Sequence, residues 1–445
     1  MKFRMPPKTI ANKIGAAVFA ASFCLTLSTN ITFAGSIELM SVDSGGLQLR
    51  DSYTSALSDN GRYVVFTANL IGTSSSQVNT YLRDRATGTT ELVSVANDGS
   101  TNKGVGGAID ISSDGRYVVF LGKKLDGSTG YIDAYVRDRV TSTTELISIN
   151  SDGNPGTANK SASNVSISGN GRYVAFVSTS EDLVSNDNNG MTDVFVRDRV
   201  NGTTQRISIA SDGTQANGDS GGNYLGTAIS ADGRYVVFSS SASNLVPSDN
   251  NGKPDLFVHD RINSFTMRAN LTNNGSQMSI GHSGLFGLSS DGRYVVFSST
   301  DSNLVANDSN GQADIFVRDL VSSITERVSI ANDGSQTNLQ SRDPAISANG
   351  RYVSFISMAS NLVSGGVPQG FGAFVYDRVA QVTEMVDIPH DGSAANNISF
   401  WHSNVSGDGR YVLFHSAATN LVAGGINTNG WNAFIHDRIG GQICQ

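Results

Sequence analysis

Gly61-Arg62-Tyr63-Val64-Val65-Phe66 decides the fold, because the chain writes this phrase seven times. Gly-Arg-Tyr-Val-x-Phe begins at Gly61, Gly115, Gly171, Gly233, Gly292, Gly350 and Gly409, at intervals of 54 to 62 residues. A period of that length marks one supersecondary unit repeated, each copy burying its faces against its neighbours. Before each copy stands a Ser-containing turn, as in Ser230-Ala231-Asp232. Asp-Gly or Asn-Gly there supplies the positive φ of a tight hairpin. Working outward, every unit offers four strands. A short first strand ends in a small-apolar-Ser triplet such as Ala228-Ile229-Ser230. The second is Arg-Tyr-Val-Val-Phe, apolar on both faces as packing between neighbouring sheets requires. The third ends in an Arg-Asp-Arg corner such as Arg197-Asp198-Arg199, and the fourth reads like Thr89–Val95 (TTELVSV). Seven four-stranded units arranged radially predict an all-β, seven-bladed β-propeller.

The two ends of the repeat array support a ring. The seventh unit stops soon after Asp437-Arg438, before a fourth strand. Ser36–Val42 (SIELMSV) stands alone ahead of the first unit and matches Thr89–Val95. The N-terminal strand is therefore expected to complete the last blade and remove an open sheet edge.

Residues 1–34 read differently. Lys2, Arg4, Lys8 and Lys13 precede an apolar run, and Thr32-Phe33-Ala34 puts small residues at −3 and −1 of a cleavage point. This predicts a secretory signal peptide over 1–34 and a single propeller domain over 35–445. Phe23 before Cys24 does not fit a lipidation motif, and no later stretch is long and apolar enough to span a bilayer. Export to the periplasm or the extracellular space follows. Removing the four basic residues moves the formal charge from −8 to −12, which disfavours nucleic acid and anionic membranes as partners. Cys444 alone would survive processing, so no intramolecular disulfide is expected.

The Ser-x-Asp-Gly-Arg-x-Val-x-Phe turn and strand resembles the TolB-like, WD40-like family of β-propeller repeats. The resemblance covers essentially 36–445. It implies the propeller fold and, more loosely, a binding platform, since such propellers also serve as gating domains and enzyme scaffolds. No segment matches the α/β domain of TolB or the hydrolase domain of propeller-bearing peptidases, so a propeller alone is expected.

Repetition separates structure from function. The seven-fold arginines (Arg62 to Arg410) and corner aspartates (Asp84 to Asp437) are expected to pair or cap turns within the blades. Departures from symmetry mark candidate sites. The repeat Gly lies 23 residues before the corner Asp in the first two units and 27 or 28 in the rest. The extra length falls in the loop between strands 2 and 3, on the face shared with the 4-to-1 connections. Three such loops share one pattern: Asp187, Asn189 and Asp193; Asp249, Asn251 and Asp255; Asp308, Asn310 and Asp314. Alternating oxygen ligands with a Gly at the turn fit an abbreviated Ca²⁺ loop. They fit equally an Asx-rich turn without metal. Gly218-Asp219-Ser220-Gly221-Gly222 spells a protease nucleophile segment, but the first histidine is His259, downstream of it, and the segment lies in a blade connection. His282, His402, Asp110 and Asn404 fall near the channel mouth. The sequence thus predicts an exported, monomeric, non-enzymatic platform for a protein, peptide or glycan on the variable face. The alternative is a carbohydrate-active lyase or hydrolase working at the channel mouth.

Overall fold

The computed structural model describes residues 35–439 except 50–51, 70–77, 102–106, 124–130, 157–160, 223–225, 282–283, 366–369, 402 and 427–429. The signal peptide expected over 1–34, His282, His402 and Cys444 lie outside the described residues.

Seven antiparallel four-stranded sheets form, six from one copy of the repeat each and the seventh from the last copy plus the N-terminal strand, and no helix occurs among the described residues. Blade 4 shows why. Fully buried Ser230 ends the innermost strand, donates from Oγ to Asp232 Oδ1 (2.6 Å) and accepts the Tyr235 amide (2.9 Å). Gly233 closes the turn at φ 76°. A Cβ there would lie 2.0 Å from a ring carbon of Tyr173 in blade 3, so both backbone conformation and packing require glycine. The repeated tyrosine thus sits against the next blade's glycine.

The corner has two jobs. Arg234 grips Asp260 with two parallel hydrogen bonds (2.9 and 2.7 Å), and the same bidentate pair recurs in all seven blades. Asp260 Oδ1 also accepts the Ile262 amide, so the expected pairing and the expected turn cap occur together. The arginine after the Asp reaches backward instead. Arg199 of blade 3 bonds Glu145 of blade 2 (2.8 Å) and lies over the Tyr117 ring at 4.6 Å.

Ring closure uses the same parts. Ser36–Leu39 pairs antiparallel with Asn432–Asp437, from Ser36↔Asp437 to Leu39↔Phe434. The Met40 amide adds a bond to the Ala433 carbonyl (2.8 Å). Arg85 of blade 1 reaches back to Glu38 (2.6 Å) and covers the Tyr411 ring of blade 7 at 4.3 Å, as Arg199 does between blades 2 and 3. The apolar core is divided among the blade interfaces. The cluster joining Val64 and Phe66 to Leu413, Ala433 and Ile435 seals blade 1 on blade 7. Seven in-blade aromatic stacks, such as Phe238–Phe257 at 6.0 Å, fill the sheets.

Around the axis, turn residues bond blade to blade: the Gly169 amide to the Ala231 carbonyl (3.0 Å), Ala231 to Ser290 (2.9 Å), Gly407 to Asp59 (2.9 Å). This ring sits at the end of the channel where the innermost strands finish. Their beginnings, and with them the opposite mouth, share a face with the 2–3 loops, as the register Ala162↔Ser178↔Asp193 shows.

Candidate functional site at the channel mouth

Innermost strands from all seven blades enclose an axial cavity of about 750 Å³. Small residues line most of it, including Ala56, Ala228, Gly287 and Ala345. Three departures re-aim side chains at the mouth. Asn164, Asp343 and Trp401 hold φ of 47°, 52° and 64° and all line the cavity. The register with strand 2 shifts between Ser163 and Val165 and between Arg342 and Ala345, marking bulges. Bulges kink a strand and turn one side chain out of the pleat. A non-glycine residue in the left-handed region is strained by about 1–3 kcal/mol, a state that clusters at ligand sites.

Blades 6 and 7 carry the strongest asymmetry. Arg342 lies with its guanidinium 3.7 Å from the Phe400 ring centre and 4.3 Å from that of Phe371. Phe400 meets Phe371 edge-on at 5.0 Å, Trp401 edge-on at 4.9 Å and Trp431 at 5.9 Å. The chain has only two tryptophans, and both are here. Trp401 is 44% exposed. Arg342 Nε and Nη2 are enclosed and find no hydrogen-bond partner among the described residues, and the nearby carboxylate Asp343 Oδ2 stands 3.6 Å from Nε. Burial lowers the Arg342 pKa, with Asp343 opposing. The aromatic faces hold the cation in place, while the rest of the side chain keeps contact with solvent.

Deeper on the other side, Asp110 lines the cavity as the sequence suggested. It accepts the Ile111 and Ile167 amides (2.8 and 3.0 Å) and the Ser166 hydroxyl (2.9 Å). Burial nevertheless pushes its carboxyl up to about 6, with those bonds opposing. Asn404 also lines the channel and turns its carbonyl back onto the Val405 amide (2.8 Å).

The three acidic loops are drawn together, each around an arginine from its own fourth strand. Arg206 Nη1 lies 2.9 Å from Asp187 and 3.9 Å from Asp193. Arg268 lies 2.9 Å from Asp249 and 3.4 Å from Asp255, and Arg327 lies 3.4 Å from Asp308 and 3.7 Å from Asp314. Asn189, Asn251 and Asn310 each donate from Nδ2 to the second carboxylate (3.0 Å) and accept the amide two residues on, making an Asx turn. Asp193, Asp255 and Asp314 are fully buried, and burial pushes Asp193 and Asp255 up in spite of the nearby arginines. Calcium would have to compete with a guanidinium for these oxygens. Among the described residues no three His, Cys, Asp or Glu side chains group as a metal set. The signal was in the sequence: position 206, 268 or 327 is Leu92, Leu146, Met385 or Leu39 in the other blades, so arginine appears only where the loop is acidic.

Ser220 of the protease-like segment is buried and bonds Ser240 Oγ (2.9 Å) inside blade 4, a structural place. His259 and His436 are buried at the corner position that carries arginine in four other blades and Tyr376 in blade 6, and desolvation lowers both to about 4. The mouth cluster of Arg342, Phe400 and Trp401 escaped the sequence reading. Clustering of both tryptophans near position 400 was the available hint.

No family model matches the sequence, and no curated protein matches it. Solved structures do. The β-propeller domain of the Trilobed protease from Pyrococcus furiosus superposes with a TM-score of 0.53 at 10% identity, covering 88% of this chain and 96% of that one. Oligogalacturonate lyase from Vibrio parahaemolyticus gives 0.51 at 12% identity, covering 91% and 97%. A putative TolB from Agrobacterium tumefaciens gives 0.40 at 16% identity, covering 62% and 80%. The likeness is one of fold. The all-β, seven-bladed propeller expected from the seven repeats is the fold observed, and the similar structures include a protease's propeller domain and a lyase.

Proposed function

We propose that this is an exported, TolB-like propeller that binds a protein, peptide or glycan at the mouth of its axial channel without transforming it. One observation carries the reading: at the mouth the seven-fold pattern gives way to three positive-φ residues, two of them at bulges, and an arginine–aromatic cluster whose tryptophan faces solvent. Strain and exposed aromatic surface on a rigid scaffold are what a binding site uses. The basic and apolar start of the chain supports export, and the acidic composition supports partners other than nucleic acid. No helix among the described residues is long and apolar enough to cross a membrane. The acidic loops act in this reading as arginine-filled braces, and calcium is the competing occupant to test. Calorimetry of the purified protein against panels of envelope peptides and oligosaccharides tests the reading. Whichever ligand binds should lose at least tenfold in affinity with Trp401→Ala, and unchanged affinity would place the site elsewhere.

Asp110 favours a second reading, a carbohydrate-active enzyme. A carboxyl held at about 6 in a cavity could serve as a general acid near neutrality. Release of new reducing ends, lost in Asp110→Asn, would establish it.

A further inference from the structure

We infer that the protein pairs with a second copy of itself, through an apolar patch across the outer seam of blades 4 and 5 on the face opposite the mouth. A monomer was the expectation from sequence. The hairpins between strands 3 and 4 edge this face, and one exposed apolar tip belongs to the repeat, as Val140, Val200 and Val379 show. Blades 4 and 5 add a second. Phe265 joins Ile262 on one hairpin and Ile324 joins Val321 on the next, where blades 1 to 3 carry Thr89, Thr143 and Thr203. Between these hairpins the charge is gone as well. In five of the seven seams the arginine after the corner Asp bonds a glutamate of the preceding blade, as Arg139 bonds Glu91. Here Leu320 takes the arginine's place and Met267 the glutamate's, both half-buried against the cluster that includes Tyr235. An exposed ion pair contributes little, so repacking of the seam accounts for Met267 and Leu320. It does not account for Phe265, 48% exposed on the same strand face as Met267, or for Ile324, 54% exposed. Blade 6 repeats the second residue as Val382, but beyond the charged Glu326–Arg378 pair.

Area, shape and charge select the occupant. With Ile262 and Val321 at 73% and 76% exposure, the patch leaves about 500 Å² of apolar side chain in water. At the roughly 65% apolar fraction of homodimer interfaces, such a core belongs to a contact of about 800 Å² per partner, the size of a stable one. The exposed hairpins stand as ridges on either side of the half-buried Met267–Leu320 seam. A ridge of one copy fits the trough of the other, and two-fold symmetry returns the contact. Two copies of this acidic chain, each of formal charge −8, repel one another. They repel least where the rim glutamate is replaced, since half-exposed Glu91, Glu145 and Glu384 mark other seams. Pairing on this face leaves both channel mouths open.

Sedimentation velocity of the purified protein from about 1 to 200 µM is the test, since contacts of this size hold at micromolar concentration or below. The native protein should pass from monomer to dimer, and the dimer should tighten from about 0.1 to 1 M NaCl as the acidic charge is screened. Phe265→Thr, Met267→Glu, Leu320→Arg and Ile324→Thr together write the blade 1–2 seam into blades 4 and 5, a sequence this ring already folds. That variant, with a native circular dichroism spectrum, should dimerise at least tenfold more weakly. Phe265→Asp alone, at an exposed tip that folding does not need, should do the same. A protein monomeric throughout the range, a dimer dispersed by salt, or a dimer untouched by both variants each overturns the inference. A monomer that floats with phosphatidylcholine vesicles, and ceases to with Phe265→Asp, overturns the second copy and gives the patch to lipid.

Discussion

Replacing Arg206 by leucine, the residue of blades 1 and 2 at the same register, isolates the buried charge in one acidic loop. In the native blade the guanidinium meets Asp187 at 2.9 Å, Asp193 at 3.9 Å and Gln215 Oε1 at 3.1 Å. The two carboxylates have side-chain exposures of 2% and 0%. Arg206→Leu leaves both negative and uncompensated, and breaking a buried pair on one side costs about 3–5 kcal/mol. At about 2.1 cal/mol/K of unfolding entropy per residue over roughly 400 residues, that lowers the thermal midpoint by about 4–6 °C. Scanning calorimetry with EDTA and with millimolar CaCl₂ reads two things at once. The native protein should not shift with calcium, because the oxygens are already spent on the guanidinium. Asp187→Asn and Asp193→Asn added to Arg206→Leu should recover most of the loss, since Asn79 of blade 1 shows that an amide serves at the Asp193 position. A loss below about 1 kcal/mol for Arg206→Leu would refute the brace. A native midpoint that climbs with calcium would refute the claim that arginine fills the loop, by mass action on a real site.

Other outcomes follow from the same geometry. Gly61→Ala drives a Cβ to 2.0 Å from the Tyr411 ring at a φ of 69°, and since it strikes the blade 1–blade 7 seam it should destabilise by about 2 kcal/mol or more in calorimetry. Glu38→Ala removes only a half-exposed ion pair with Arg85, so its loss should stay at or below about 1 kcal/mol, whereas a large loss would mean the latch rather than strand pairing closes the ring. Asp387 is buried, and burial pushes its carboxyl up to about 6. Its folded pKa lies above an unfolded value of about 3.9, so the charge opposes folding above pH 6 and that opposition fades as pH falls toward 4. Asp387→Asn should therefore raise the midpoint at pH 7.5 and leave it nearly unchanged at pH 4, and a gain equal at both values would contradict the assignment. His259 is lowered to about 4 by desolvation. Acid between pH 6.5 and 4 should cost the native protein stability that His259→Gln retains.

Much of the fold was legible because symmetry repeats the information. Seven copies of one turn make the Ser–Asp–Gly geometry unmistakable, and the stray Ser36–Val42 strand pointed to the seam that its pairing with Asn432–Asp437 now closes. The Arg–Asp pairs could be read for the same reason. The acidic loops were found as clusters but assigned an incomplete environment, because the arginine lies on a different strand, 13 to 19 residues downstream, and enters only through β-register. The mouth was least legible. Asn164, Asp343 and Trp401 adopt left-handed backbone without glycine to announce it, and Arg342 meets Phe371 and Phe400 through the packing of blades 6 and 7. Nothing in local periodicity encodes such a meeting.

That the ligand seats at the mouth is tested most directly by fluorescence of the Trp431→Phe protein, in which Trp401 is the sole tryptophan. Titration with a ligand already shown to bind by calorimetry should change Trp401 emission saturably, with the calorimetric midpoint. Full binding with unaltered Trp401 emission would contradict the placement of the site.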